Sequence, residues 1–109
     1  MLSGDEVLGR IEGLTRGELM VWIERGWVAA YRRDEGYLFS DIDLARVRLI
    51  HELKVDLAIE DDALSAVLSL VDQVYGLRHE LRLLTEALRR ESDDVRARIL
   101  RHVEHLRKM

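Results

Sequence analysis

A heptad repeat of apolar residues between positions 60 and 91 constrains the fold of this chain more than any other feature. Valine or leucine recurs every seven residues, and leucine does the same three residues later. This spacing puts two apolar columns on one face of a helix about 48 Å long. A domain of this size cannot cover such a stripe alone, so we expect a homodimer. The predicted dimer interface, which we call the leucine seam, consists of Leu70, Val74, Leu77, Leu81, Leu84 and Leu88.

Two parts of this long helix leave alternatives open. Ala63, Leu64 and Val67, in its first turns, are compatible with packing inside the same chain and with the start of the seam. Gly76 weakens the helix by about 1 kcal/mol relative to alanine. It is compatible with a bend or with a close crossing of two helices.

Length and composition narrow the class of protein. The 109 residues suffice for one domain with an appended element, which we divide into residues 1–55, 56–91 and 92–109. The absence of cysteine excludes disulfides and thiolate chemistry and fits a reducing compartment. The first residues carry acids where a signal peptide needs basic residues, and no run of about 18 apolar residues occurs. We therefore expect a cytoplasmic protein without a membrane segment.

The first half of the chain predicts a winged helix-turn-helix. Ser3 and Glu6, and then Thr15 and Glu18, have the spacing of capping boxes that begin two short helices. A small hairpin, or wing, in which Gly36 takes a positive φ, is predicted by alternating residues on either side of it: Val28, Ala30 and Arg32, then Tyr37 and Phe39. A third helix should begin after Ser40 and end near Lys54, with this buried face: Ile42, Leu44, Ala45, Val47, Leu49, Ile50 and Leu53. The expected fold is therefore mainly α.

The last segment predicts a short amphipathic helix. Ser92 can cap it, and an apolar stripe then runs from Val95 to Leu106. The opposite face is rich in arginine, as expected for a solvated helix with cations near its C-terminus. The apolar stripe is expected to pack back on the long helix.

Sequence motifs for catalysis are missing. There is no nucleophile-elbow serine, glycine-rich phosphate loop or zincin pattern. His102 and His105 share one helical face, but no third ligand accompanies them. We therefore expect neither an enzyme nor a metal site nor a bound cofactor.

The distribution of charge is more informative than the net charge of −4. Residues 56–77 contain five acids and no lysine or arginine. Acids at a helix N-terminus are stabilised by the helix dipole, but they can also form a face that meets a basic partner. Four of these acids, which we call the acidic segment, are the predicted partner-binding residues: Asp56, Glu60, Asp61 and Asp62.

Nucleic-acid binding draws its affinity from cations that neutralise phosphates. Neither half of this chain is basic, so its composition disfavours specific DNA binding. That alternative requires four arginines of the first half to converge on one face: Arg16, Arg25, Arg32 and Arg33.

The order of these elements resembles the MerR-like winged-helix superfamily, through GLTRGELMVWIERGWV and DEGYLFSDIDLARVRLI. MerR regulators usually carry Thr-Leu-Arg-Tyr-Tyr in the second helix and Gly-Tyr-Arg in the wing, whose polar members touch phosphates. Here the corresponding blocks read ELMVW, from Glu18, and GYL, from Gly36. Both arginines of the family are thus replaced by apolar residues, which removes phosphate contacts.

A closer resemblance is to the CbpM family of chaperone modulators. The stretch RLIHELKVDLAIEDDALSAVLSLVDQVYGLRHELRLL is similar to that family throughout, and the likeness covers residues 14 to about 90. The resemblance implies binding to the J-domain of a CbpA- or DnaJ-like co-chaperone and inhibition of its cooperation with the Hsp70-type chaperone DnaK. The alternative is a DNA-binding transcriptional regulator of the MerR type.

Overall fold

The computed structural model describes residues 1–109 and is mainly helical, as predicted. Five helices and a three-stranded antiparallel sheet form the chain. The elements in order are β1 (Leu2–Ser3), α1 (Gly4–Arg10), α2 (Arg16–Glu24), β2 (Tyr31–Arg33), β3 (Gly36–Phe39), α3 (Asp41–Val55), α4 (Asp61–Arg89) and α5 (Asp93–Arg107). No helix combines the length and apolar character that a membrane span requires.

Reciprocal capping boxes start the first three helices. The Ser3 hydroxyl accepts from the Glu6 amide at 3.1 Å, and the Glu6 carboxylate accepts from the Ser3 amide at 3.2 Å. Thr15 and Glu18 make the same exchange at 3.1 Å. Ser40 does so with Asp43 at 3.0 Å. Each cap contributes about 1 kcal/mol to its helix, so these local signals explain why the helices begin where the sequence predicts.

The wing is shorter than predicted and belongs to a larger sheet. Gly36 has φ +121 and begins β3, so the expected positive φ is confirmed. The strand before it begins only at Tyr31, while Val28, predicted to alternate within it, lies in the core with 2% exposure. β3 also pairs with β1, with Leu2 opposite Phe39. A strand of two residues carries no readable alternation, so the sequence did not predict β1.

The core belongs to residues 1–69, one of two compact units, the other being residues 70–109. Its most deeply buried large side chains include Trp22, Phe39 and Ile50. α4 contributes its first turns: Leu64 is 0% and Leu68 2% exposed. Val67 is half-buried and Ala63 is exposed. The first turns of the long helix therefore pack within the chain. The predicted bounds, 1–55, 56–91 and 92–109, separate the long helix from the N-terminal domain, whereas the compact units divide within that helix.

Part of the predicted buried face of α3 was wrong. The buried residues are Leu44, Val47 and Ile50, spaced by three, and Leu53 is partly buried against the core. Ile42 is 81% exposed and Ala45 is also exposed. A helix against a small core buries a narrow stripe, so the apolar residues on either side of it remain outside.

The second unit contains the rest of α4, from Leu70, and α5. The Ser92 hydroxyl accepts from the Val95 amide at 3.3 Å and caps α5, as predicted. Val95 is half-buried, but Val103 is 42% and Leu106 65% exposed. The apolar stripe of α5 is therefore covered mainly at its start, not along its whole length as expected.

Candidate interaction surfaces

The leucine seam forms an uninterrupted apolar stripe on the second unit. In the single chain Leu70, Val74, Leu77, Leu81 and Leu84 are 48–70% exposed, and Leu88 is half-buried. Gly76 lies within the same continuous helix, and a Cβ there would meet nothing within 4 Å. Aligned apolar residues at heptad spacing on an exposed helix are typical of a surface that a second helix covers.

The acidic segment splits into one carboxylate engaged within the chain and three directed to solvent. The Asp61 carboxylate accepts from Lys54 Nζ at 2.7 Å and from Arg25 Nη1 at 2.9 Å. Asp56, Glu60 and Asp62 are exposed, and none of them forms an ion pair. Asp61 therefore holds the start of α4 to α2 and α3, and the other three remain available to a partner.

The two cations beside Asp61 also change its titration. The hydrogen bond from Lys54, helped by the charges of Lys54 and Arg25, lowers the pKa of the Asp61 carboxyl below its usual 3.8. Since the pKa is lower in the folded chain than in the unfolded one, the ion pairs stabilise the fold above the unfolded pKa. That stabilisation is lost as the pH falls through the folded pKa.

A pH series should therefore separate Asp61 from the other acids. We expect Asp61→Asn to be less stable than the unchanged protein at pH 7, and the difference to shrink below about pH 4. Urea denaturation at constant ionic strength between pH 7 and pH 3 measures the two curves. A difference in unfolding free energy that stays constant across this range would contradict the assignment.

The four arginines of the alternative DNA-binding surface do not form one cluster. Arg16 is paired with Asp5 across α1 and α2. Arg25 is paired with Asp61 and lies 5.1 Å from the centre of the Trp27 ring. Arg32 and Arg33 are exposed on β2, immediately before Asp34 and Glu35. Two of the four are thus neutralised by carboxylates of the same chain.

A cleft of about 610 Å³ lies between α2 and the wing. Arg16 and Arg33 line it together, whereas Arg25 does not. Asp5, Asp34 and Glu35 line it too, so the two arginines share the cleft with three carboxylates. Its apolar lining includes Leu19, Met20, Tyr37, Leu38 and Phe39. A surface of this composition offers little net positive charge to a phosphate backbone.

A family model described as MerR HTH family regulatory protein matches residues 6–86 of the chain. The match includes most of α1, all of α2, the wing and α3, and most of α4. The chain belongs to this MerR family. No curated protein and no solved structure matches it. The helix α5 lies beyond the part of the chain that the MerR family model covers.

Two residues that line the cleft lie in the blocks that resemble MerR regulators. Met20 and Leu38 stand where the resembling blocks of MerR regulators carry arginine, and both line the cleft. The half-buried side chains of these two residues make this part of the surface apolar. At these two positions the cleft therefore offers no cation to a phosphate, and its arginines are Arg16 and Arg33.

Contacts around Trp27 connect the helix-turn-helix to α3 and α4, and the sequence did not predict them. The indole Nε1 donates to the Ser65 hydroxyl at 3.2 Å. The Trp27 carbonyl accepts from Arg46 Nε. These residues are far apart in the chain, so no local pattern could have paired them. They fix the start of α4, and with it the acidic segment, against the folded N-terminal unit.

The histidines are not part of any cluster of three or more metal-ligating side chains. No group of three or more His, Cys, Asp or Glu side chains lies close enough to hold an ion. His102 and His105 are exposed on α5. His51 instead packs beside Gly13, which has φ +85, and the His51 Nδ1 is buried without a hydrogen-bond partner.

Proposed function

We propose that this protein is a chaperone modulator that binds the J-domain of a CbpA- or DnaJ-like co-chaperone. Binding would inhibit the cooperation of that co-chaperone with DnaK. The proposal joins the resemblance to the CbpM family, carried by residues 48–84 in particular, to the chemistry of the exposed surfaces.

One observation carries the choice of a protein partner over DNA. The two positions at which MerR regulators present arginine to phosphates are Met20 and Leu38, in a cleft also lined by three carboxylates. Phosphate neutralisation supplies a large share of the affinity of DNA-binding proteins, and this chain, with a net charge of −4, has no cation at these two positions. A helix-turn-helix of this kind retains the fold of a DNA-binding domain but lacks two of its phosphate contacts.

The acidic segment supplies a surface of the opposite kind. A J-domain presents a basic helix to DnaK, and Asp56, Glu60 and Asp62 are exposed carboxylates with no partner in the chain. Complementary potentials raise association rates and select among partners. When this protein binds the basic helix of the J-domain, that helix is no longer accessible to DnaK, and no catalytic step is needed. A homodimer formed through the leucine seam would present two such acidic surfaces.

Charge reversal of Asp56→Lys together with Asp62→Lys tests the proposal. Asp56 follows the C-terminus of α3, where the helix dipole favours a lysine. Asp62 lies in the first turn of α4, where the dipole disfavours a lysine. The two substitutions therefore have opposite effects on stability. We expect association with the J-domain to slow by roughly tenfold and its salt dependence to flatten. Stopped-flow mixing at several ionic strengths measures both.

The matched control reverses Glu12 and Glu24, which are exposed on the same unit and outside the acidic segment. This pair changes the net charge by the same amount and should retain most of the association rate. Equal slowing by both pairs would reduce the effect to net charge. Unaltered kinetics for Asp56→Lys with Asp62→Lys would remove the acidic segment from the binding site.

A further inference from the structure

The connection between α3 and α4 exposes two large apolar side chains among the acids. Val55, the last residue of α3, is 61% exposed, and Leu57 is 65% exposed. Asp56 stands between them, and Glu60 and Asp62 follow within a few residues. The apolar pair therefore shares one short, exposed segment with three carboxylates.

The fold does not need these two side chains. Leu53 and Ile59, on either side of them, are the residues that pack against the core. The Ile59 amide donates to the Leu53 carbonyl at 3.0 Å, and Ala58 has φ 51, so the chain turns back immediately after Leu57. This turn returns Ile59 to the core and leaves Val55 and Leu57 outside. Val55 and Leu57 are exposed because the backbone turns after Leu57 and places Leu53 and Ile59 against the core instead.

We infer that Val55 and Leu57 are the apolar contact residues of a docking surface for a basic amphipathic helix. The inference rests on the proposed function, in which the occupant is the basic helix of the J-domain. Two cations beside the segment, Lys54 and Arg25, are both paired with Asp61. The apolar side of the incoming helix lies on Leu57 and Val55, and its cations face the three free carboxylates.

The two kinds of contact act on different rate constants. Long-range attraction by Asp56, Glu60 and Asp62 determines how fast the partner arrives and how strongly salt slows it. Burial of Leu57 acts only after contact, so it determines how slowly the partner leaves. A residue that merely supports the fold would not divide the kinetics in this way.

The test compares Leu57→Ser and Val55→Ser with Ile42→Ser. Ile42 is an exposed apolar residue of the same unit, 81% exposed, and lies outside the segment. For Leu57→Ser we expect dissociation of the J-domain to accelerate roughly tenfold, with the association rate and its salt dependence retained. Val55→Ser should act in the same direction, and Ile42→Ser should leave both rates unchanged. Surface plasmon resonance with immobilised J-domain measures the rates.

Several results would overturn the inference. Dissociation from Leu57→Ser and Val55→Ser at the unchanged rate would show that the apolar pair is not in contact with the partner. Equal acceleration by Ile42→Ser would show a general effect of exposed apolar residues. Conversion of the homodimer to monomer by Leu57→Ser, seen by sedimentation, would assign the pair to self-association. J-domain binding that survives all three substitutions unchanged defeats only this inference, whereas no binding by the unchanged protein defeats the proposed function as well.

Discussion

Substitution of both Leu77 and Leu84 by glutamate should turn the expected homodimer into monomers in sedimentation velocity experiments. The two leucines are 70% and 68% exposed in the single chain and lie one heptad apart on the seam. Burial of a leucine contributes about 1.5–3 kcal/mol, and a glutamate in the same place must instead lose its hydration. In a homodimer the two substitutions place four glutamates in one interface. We therefore expect the paired helices to separate.

Leu83 provides a matched control for the seam. It is adjacent to Leu84, is also an exposed leucine, at 52%, and lies outside the two heptad columns. We expect Leu83→Glu to remain dimeric, and Leu84→Glu alone to weaken the dimer. Persistence of the dimer in the Leu77→Glu, Leu84→Glu variant would place the interface elsewhere.

The second large effect is expected at the start of the same helix. Leu64→Ala should lower the unfolding free energy of the N-terminal unit by about 2–5 kcal/mol, because Leu64 is completely buried. Leu70→Ala removes the same atoms six residues later, where the side chain is 61% exposed, and should leave that unit nearly unchanged. Both tryptophans, Trp22 and Trp27, are in the core of residues 1–69, so their fluorescence in urea reports on it selectively.

The comparison of Leu64 and Leu70 distinguishes two descriptions of α4. If the whole helix were an independent dimerisation element, the two substitutions would have similar effects on the tryptophan signal. A small effect of Leu64→Ala at one fixed protein concentration would contradict the packing described for the first turns. A cost confined to Leu64→Ala would locate the change from intramolecular core to exposed seam between these residues.

Local signals predicted most of the fold. Ser3, Thr15, Ser40 and Ser92 each begin a helix because a hydroxyl beside the first turn satisfies a free amide, and this requires only nearby residues. Gly36 takes a positive φ for an equally local reason. The mainly α class followed from these caps and from the heptad spacing.

Features that depend on distant residues were not predictable. The pairing of β1 with β3 joins Leu2 to Phe39, and neither segment alone reveals it. The exposure of Ile42 depends on how wide a stripe the core covers. Asp61 pairs with Arg25, which lies 36 positions away, and no local pattern reveals such a pair. The sequence therefore predicted a partner-binding role for all four members of the acidic segment. The structure divides that segment into one carboxylate that holds α4 and three that face solvent.

The leucine seam and the acidic segment differ in how far sequence alone describes them. Heptad spacing defines the members of the seam because the period of a helix fixes which residues share a face. The acids have no such period, since a charge acts through space on whatever lies near it. Their division required the positions of Lys54 and Arg25 in the folded chain.

Calorimetric titration of the unchanged protein with the J-domain of a CbpA-like co-chaperone, beside a DNA mobility-shift assay at the same physiological salt, distinguishes a chaperone modulator from a DNA-binding regulator. We expect saturable binding of the J-domain and only weak, sequence-independent association with DNA. Tight binding to one palindromic promoter fragment, with no heat of binding to the J-domain, would contradict it.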